Sequence, residues 1–162
     1  METKDIVSIK PNFPPGIPHD CFACSKTNPY GLKMQFQGNK NTKEVFGVMN
    51  LKKEYCGFPK YVHGGILATM LDEIMAYAVN FSQNRYGVTK SLSVNYLRPV
   101  LVDQTIFIKA KEVSSRIYRK KNILSEVKAQ IFEGNDDTGQ LLTSATSEVV
   151  ILPEKQFMKV FK

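Results

Sequence analysis

With 162 residues, 43% of them hydrophobic and 23% charged, the chain has the size and make-up of one globular domain, which excludes a disordered or fibrous protein. At this length folding buries about 70% of the unfolded surface, so neither disulfides nor a metal is required to hold a core. Its 22 Lys and Arg against 15 Asp and Glu leave a net charge of +7, which favours anionic partners: nucleic acid, an anionic membrane surface or a phosphorylated small molecule.

In chain order, residues 1–20 contain Pro11, Pro14, Pro15 and Pro18, and are expected to run extended along the surface. No signal peptide is evident there. A single domain is expected over 21–152, followed by a tail over 153–162. Leu32–Phe36 and Val45–Leu51 read as strands separated by a polar turn, Gly38–Thr42. Lys52–Val62, with Gly57 and Pro59, reads as a loop. Gly64–Phe81 is the one strong helix: Ile66, Leu67, Met70, Leu71, Ile74, Tyr77, Ala78 and Phe81 share a face, and Asn84 and Gly87 terminate it. Asp72 and Glu73 at its middle argue against a membrane span.

Beyond the helix the period becomes two. Ser91–Pro99, Ile106–Lys111, Ile123–Ile131 and Leu141–Leu152 read as strands, joined by the turns Leu101–Gln104, Ser114–Lys121 and Glu133–Gly139. Two strands, one helix and four strands predict an α+β arrangement in which the sheet curls around the helix. A parallel doubly wound fold is excluded, because it needs a helix between successive strands.

Asp72 lies opposite the main apolar face, yet its neighbours there are Ala68, Thr69, Met75, Ala76 and Val79 rather than lysines and glutamates. A helix apolar nearly all round is covered on both sides, by its own sheet and by another subunit. A carboxylate in such surroundings is costly unless it has a partner or a task. The rival reading is an ordinary surface or ion-paired carboxylate; Glu73, nearer Tyr77 and Asn80, is read as structural. His63-Gly64-Gly65 opens the helix, where free amides and the positive end of the dipole stabilise negative oxygen and glycines admit a ligand closely. The rival is tight packing of the helix start.

Gly64 and Asp72 are eight residues apart, about 12 Å along a helix, so one carbonyl cannot touch both. Antiparallel pairing of two copies about a two-fold axis brings Gly64 of one towards Asp72 of the other. An amide oxyanion site facing a carboxylate, with no Ser-His-Asp set, suits thioester hydrolysis: a thiolate leaving group, of conjugate-acid pKa about 8.5, needs little help from a general acid.

At these residues the chain resembles the hotdog-fold acyl-CoA thioesterases of the phenylacetate-pathway (PaaI-like) type. The resemblance spans roughly Cys21–Leu152 in three blocks. They are Cys21-Phe22-Ala23-Cys24 with Asn28-Pro29-Tyr30-Gly31-Leu32, Val62–Glu73, and Ser91–Pro99. It implies a six-stranded antiparallel sheet around one long central helix, a homodimer and often a homotetramer, and an acyl-coenzyme A substrate with no metal or redox cofactor. It further implies Asp72 as nucleophile or general base, the amide of Gly64, with Gly65, polarising the thioester carbonyl, His63 shaping the site, and Thr89 orienting the lytic water. Many members carry Asn or Gln six residues before the histidine; here Gly57 stands there, leaving backbone amides and water to hold the oxygen.

Cys21-x-x-Cys24 with His19 just before it has half of a zinc pattern, but a structural site needs about four ligands, usually as two pairs. Cys56 and His63 are the other candidates, so no metal is expected and the cysteines are read as packing at the domain edge. Three cysteines, an odd number, suit a reducing compartment, and the cytoplasm is the expected location. Arg116, Arg119, Lys120 and Lys121 cluster at a predicted hairpin, and with Arg98 they are candidate contacts for coenzyme A phosphates, with a solvated turn as rival. No nucleic-acid-binding motif or stacking platform accompanies them, and no membrane contact is expected. Two other functions suit the same fold: a hydratase or dehydratase acting on acyl thioesters, and a non-catalytic acyl-CoA-binding module.

Overall fold

The computed structural model describes residues 5–10, 18–119 and 122–161. Its elements are β1 (Ile6–Ile9), β2 (Phe36–Asn39), β3 (Val45–Asn50), α1 (Gly64–Gln83), β4 (Gly87–Tyr96), β5 (Thr105–Tyr118), β6 (Asn122–Glu133), β7 (Leu141–Ile151) and a short α2 (Glu154–Phe157). The strands form one antiparallel sheet in the order β1-β2-β3-β5-β6-β7-β4.

The helix forms where the apolar spacing requires it, and Leu67, Met70, Leu71, Ile74, Met75, Ala78 and Val79 are buried. It ends at Asn84, whose left-handed backbone (φ 52°) lets its N–H reach the Asn80 carbonyl. α1 packs against β3 to β7, over alternate residues of the long strands: Ile106, Ile108 and Ala110 of β5, Val127, Ala129 and Ile131 of β6, and Ala145, Val149 and Ile151 of β7. Each fully buried Leu or Ile of this kind contributes about 1.5–3 kcal/mol. A polar knot fastens the C-terminal end of α1. The Glu112 carboxylate, beside a bulge in β5, accepts from Ser82, from Gln83 Nε2 at 2.9 Å and from Ser125 Oγ at 2.5 Å.

The sheet differs from expectation in four places. It has one strand more, because β1, within the proline-rich opening stretch, pairs with β2 through Ile6↔Asn39 to Ile9↔Phe36. Leu32–Phe36 is not a strand. Leu32 and Met34 are buried, but their amides donate to Phe22 O (2.8 Å) and Ala23 O (2.9 Å) of the cysteine loop, so the strand starts only at Phe36. Gly38, expected in a turn, lies in β2 under the ring of Phe81. Third, the expected turn Ser114–Lys121 is strand as far as Tyr118, since the bulge between Glu112 and Ser114 re-registers the ladder without ending it. Lys120 and Lys121 lie outside the described residues.

The fourth concerns the far side of α1. Met75 and Val79, expected to face a partner, are wholly buried by the chain's own sheet, leaving Ala68, Thr69, Asp72, Glu73 and Ala76 half-buried. The tail turns back: Phe157 stacks on Tyr86 with centroids 4.8 Å apart. Among the described residues, no helix is long and apolar enough to cross a membrane.

Candidate active site

His63 is the N-cap of α1. Its backbone is extended, and its Nδ1 accepts from the Gly65 N–H at 2.9 Å. A neutral imidazole accepting at Nδ1 carries its proton on Nε2, which leaves an N–H available at the helix start. Gly57 makes room for this arrangement, because a Cβ there would come within 3.2 Å of His63 Cα and Cδ2. The Ile66 amide bonds the His63 carbonyl at 2.9 Å. With Gly65 and Ile66 both engaged, the Gly64 amide is the first-turn donor without an acceptor among the described residues. It lies at the positive end of a 20-residue helix dipole. The Gly64 carbonyl is held by Tyr96, whose hydroxyl donates to it at 2.9 Å and whose ring covers the glycine.

Two turns along α1 from Gly64, Asp72 is half-buried and accepts from Thr89 Oγ1 at 2.7 Å. Thr89 sits at the start of β4, beside a register shift between Thr89 and Ser91, where a bulge can re-aim a side chain towards the helix. The bond fixes one carboxylate oxygen and leaves the other to accept a proton or to attack. The structure thus joins Asp72 to Thr89 and His63 to Gly65, and within one chain keeps the two pairs at opposite ends of the half-buried helix stripe.

The basic candidates lie elsewhere. Glu148 alternates with buried Ser147 and Val149 and so faces away from α1. It holds Lys90 at 2.6 Å and Arg116 at 3.4 Å, and these cations, the Lys90 hydrogen bond foremost, lower its carboxyl below the usual range; Lys90 also lies over the Tyr118 ring. Arg119 covers the Tyr118 ring. Arg98 donates from Nη1 to the Leu141 carbonyl at 2.8 Å, a bond that fastens the end of β4 to β7.

One cluster was not legible from the chain's local patterns. Glu73, one residue past Asp72, meets the cysteine loop: Cys21 Sγ donates to both of its carboxylate oxygens at 3.7 Å, and His19 Nε2 lies 3.1 Å from Cys24 Sγ. Burial raises the Glu73 carboxyl, against the lowering effect of the two thiols. Burial, reinforced by Glu73, likewise raises the Cys24 thiol.

A long helix seated in a curled antiparallel sheet is the hotdog arrangement, and the family model described as thioesterase superfamily matches residues 60–137, from the loop before α1 into the β6–β7 turn. The fold is that of the thioesterase superfamily. A thioesterase-superfamily protein, RHA08564, is 26% identical with a TM-score of 0.62, the match covering 75% of this chain and 55% of that one. A hypothetical thioesterase from Streptococcus pneumoniae, solved with coenzyme A, is 24% identical with a TM-score of 0.56, over 67% of this chain and 80% of that one. That pneumococcal protein has also been solved with an aspartate, and with a threonine, replaced by alanine. Among curated proteins, the mitochondrial membrane protein FMP10 of Saccharomyces cerevisiae is 26% identical over 111 residues, 67% of this chain but 43% of FMP10. The chain therefore spans less than half the length of that relative.

Proposed function

We propose that the chain is a PaaI-like acyl-CoA thioesterase whose active site is completed by a second copy. The observation that carries this reading is the pairing of Asp72 with Thr89 on the half-buried stripe of a helix whose first amide, at Gly64, has no acceptor among the described residues. A carboxylate oriented by a hydroxyl, and an amide waiting for a negative oxygen, are the two halves of an acyl-transfer site.

The proposed assembly follows from the sheet edge. β4 ends the sheet and leaves one side of its ten-residue ladder unpaired, with Val88 and Tyr96 about half exposed. A long unpaired edge of this kind calls for cover. Pairing β4 with its copy sets the two α1 helices side by side and antiparallel. For Gly64 of one copy to meet Asp72 of the other, the axis passes by Ala68, midway between them; its small side chain allows close approach.

In that site the thioester carbonyl oxygen binds the Gly64 amide, with the His63 Nε2–H nearby. Asp72 takes a proton from water held by Thr89, and hydroxide adds to the carbonyl carbon. The oxyanion then collapses, the carbon–sulfur bond breaks and coenzyme A leaves as thiolate. Direct attack by Asp72, giving an acyl–enzyme anhydride that water then opens, uses the same residues. Arg98, Arg116 and Arg119 are proposed contacts for the nucleotide phosphates. Within this proposal the chain works in the cytoplasm, where its three free cysteines stay reduced.

The test is hydrolysis of an acyl-CoA panel of aliphatic and aryl chains, with thiol release followed by a chromogenic disulfide. Turnover lost in Asp72→Asn, with folding and acyl-CoA binding retained, supports the reading. Unchanged turnover in that variant overturns it, and tight binding of every ester without turnover makes the chain a binding module instead. Ala68→Arg separates the copies: monomers that still hydrolyse would end the shared-site proposal.

A further inference from the structure

In the sequence Cys21-x-x-Cys24 has no second ligand pair, and no metal is expected from it. The fold supplies other donors. Glu73 comes from the middle of α1, 52 positions from Cys21, and the sulfurs of Cys21 and Cys24 and a Glu73 carboxylate oxygen all lie within 4.8 Å of one another. His19, two residues before Cys21, places Nε2 3.1 Å from Cys24 Sγ.

We propose that His19, Cys21, Cys24 and Glu73 form a zinc-binding site that fastens the cysteine loop to the middle of α1. Donors at about 2.0–2.3 Å from one tetrahedral zinc stand about 3.3–3.8 Å from each other. The Cys21–Glu73 separation of 3.7 Å already has this value; His19 Nε2, 3.1 Å from Cys24 Sγ, stands outside the group of three that lies within 4.8 Å, so the imidazole must swing inward to become the fourth ligand. Two sulfurs, one nitrogen and one carboxylate oxygen make a donor set suited to zinc; calcium and magnesium demand oxygen.

Charge leads to the same cation. Glu73 is half-buried and, among the described residues, forms no ion pair with Lys or Arg; it faces two thiols, with Tyr77 against Cys24. Two thiols and a carboxyl gathered in one place offer three anionic donors to a divalent ion, whose binding drives off their protons. An entry path exists, because His19 and Cys24 line a cavity of about 490 Å³ that reaches Phe36 and Tyr77. The loop itself is preformed: Ser25 N–H donates to Cys21 O at 3.0 Å, and Leu32 and Met34 bond the carbonyls of Phe22 and Ala23.

This site is separate from the proposed chemistry. Asp72 and Glu73 are adjacent and so project about 100° apart around the helix, Asp72 to Thr89 and Glu73 to the cysteines. The zinc would set the rotation and depth of α1 without touching substrate.

The experiment is metal analysis of the full chain, purified without chelator, followed by replacement with cobalt. About one zinc per chain, and a thiolate-to-cobalt charge-transfer band with tetrahedral visible bands, is the expected result. Cys56→Ser should keep both signals, while Cys21→Ser and Cys24→Ser each weaken the charge-transfer band and lower the metal content. Glu73→Gln should weaken zinc at least tenfold in competition with a chromogenic chelator. A folded wild-type chain that retains no zinc and develops no charge-transfer band on cobalt addition would overturn the site, leaving thiols hydrogen-bonded to a carboxyl. Unchanged zinc affinity in Glu73→Gln would overturn the four-ligand set. Neither readout depends on thioester hydrolysis.

Discussion

Thr89 donates to Asp72 across a 2.7 Å hydrogen bond that joins the edge strand β4 to the middle of α1. The bond ties the proposed catalytic acid to the strand through which a second copy would pair. Chemistry and assembly therefore share one side chain. Asp72→Asn is expected to lower hydrolysis about 10²–10⁴-fold, the range of a lost general base, with the melting temperature nearly unchanged. Steady-state turnover beside a thermal melt decides it.

Thr89→Val removes the donor but keeps the shape. A hydrogen bond to a charged group contributes about 1.5–3 kcal/mol, so kcat should fall roughly ten- to a hundredfold if the bond matters most in the transition state. Thr89→Ser should restore most of it. Equal kcat in all three proteins would show that Thr89 does not position the acid.

Tyr96→Phe breaks the 2.9 Å bond to the Gly64 carbonyl while retaining the ring that covers the glycine. This bond is exposed, so the expected loss is about 0.5–1 kcal/mol of stability in denaturant unfolding. A larger effect on kcat/KM than on stability would mark the helix start as part of the site.

Gly57→Ala places a methyl 3.2 Å from His63 Cα and Cδ2. Because one of the two contacts is backbone, the clash cannot be relieved by a side-chain swing, and overpacking of this kind costs about 1–3 kcal/mol. The variant should melt lower and lose activity together, since the displaced imidazole no longer caps Gly65.

Glu148→Gln tests the outer face in acid. The Lys90 bond lowers the Glu148 carboxyl in the folded chain, so the native state binds fewer protons than the unfolded one. That stabilisation is present above the unfolded value of 4.5 and fades as pH falls through the lower native value. Wild type should exceed the variant slightly near neutrality, and the two melting curves should converge below pH 4.5. The gap stays small because the pair is exposed and screened.

The helix was legible because its core spacing is strong and its C-terminal stop is local: Asn84 adopts the left-handed turn its side chain favours. Asp72, Gly64 and His63 stand out for the same reason, each by its place on that helix, and Thr89 through the resemblance; their roles are proposals. Leu32 and Met34 misled because burial was read as strand, whereas their amides bond a loop ten residues back. The length of β5 was hidden by Ser114, Ser115 and Arg116, polar residues that look like a turn but stand exposed on a ladder continued past a bulge. Glu73 could not be matched to Cys21 and Cys24 from the chain, because a contact between loop and helix so far apart leaves no periodic trace. Gly65 reads as a second free donor in the sequence, but its amide bonds the ring of His63, a contact that only the cap geometry reveals.

The short strand β1 occupies the opposite margin of the sheet from β4 and has four residues there. A sheet with ten residues to offer on one side and four on the other is lopsided: two molecules joined through their long margins present only stubs outwards. Growth would halt at a closed pair, which guards a β-rich protein of this kind against stacking into filaments.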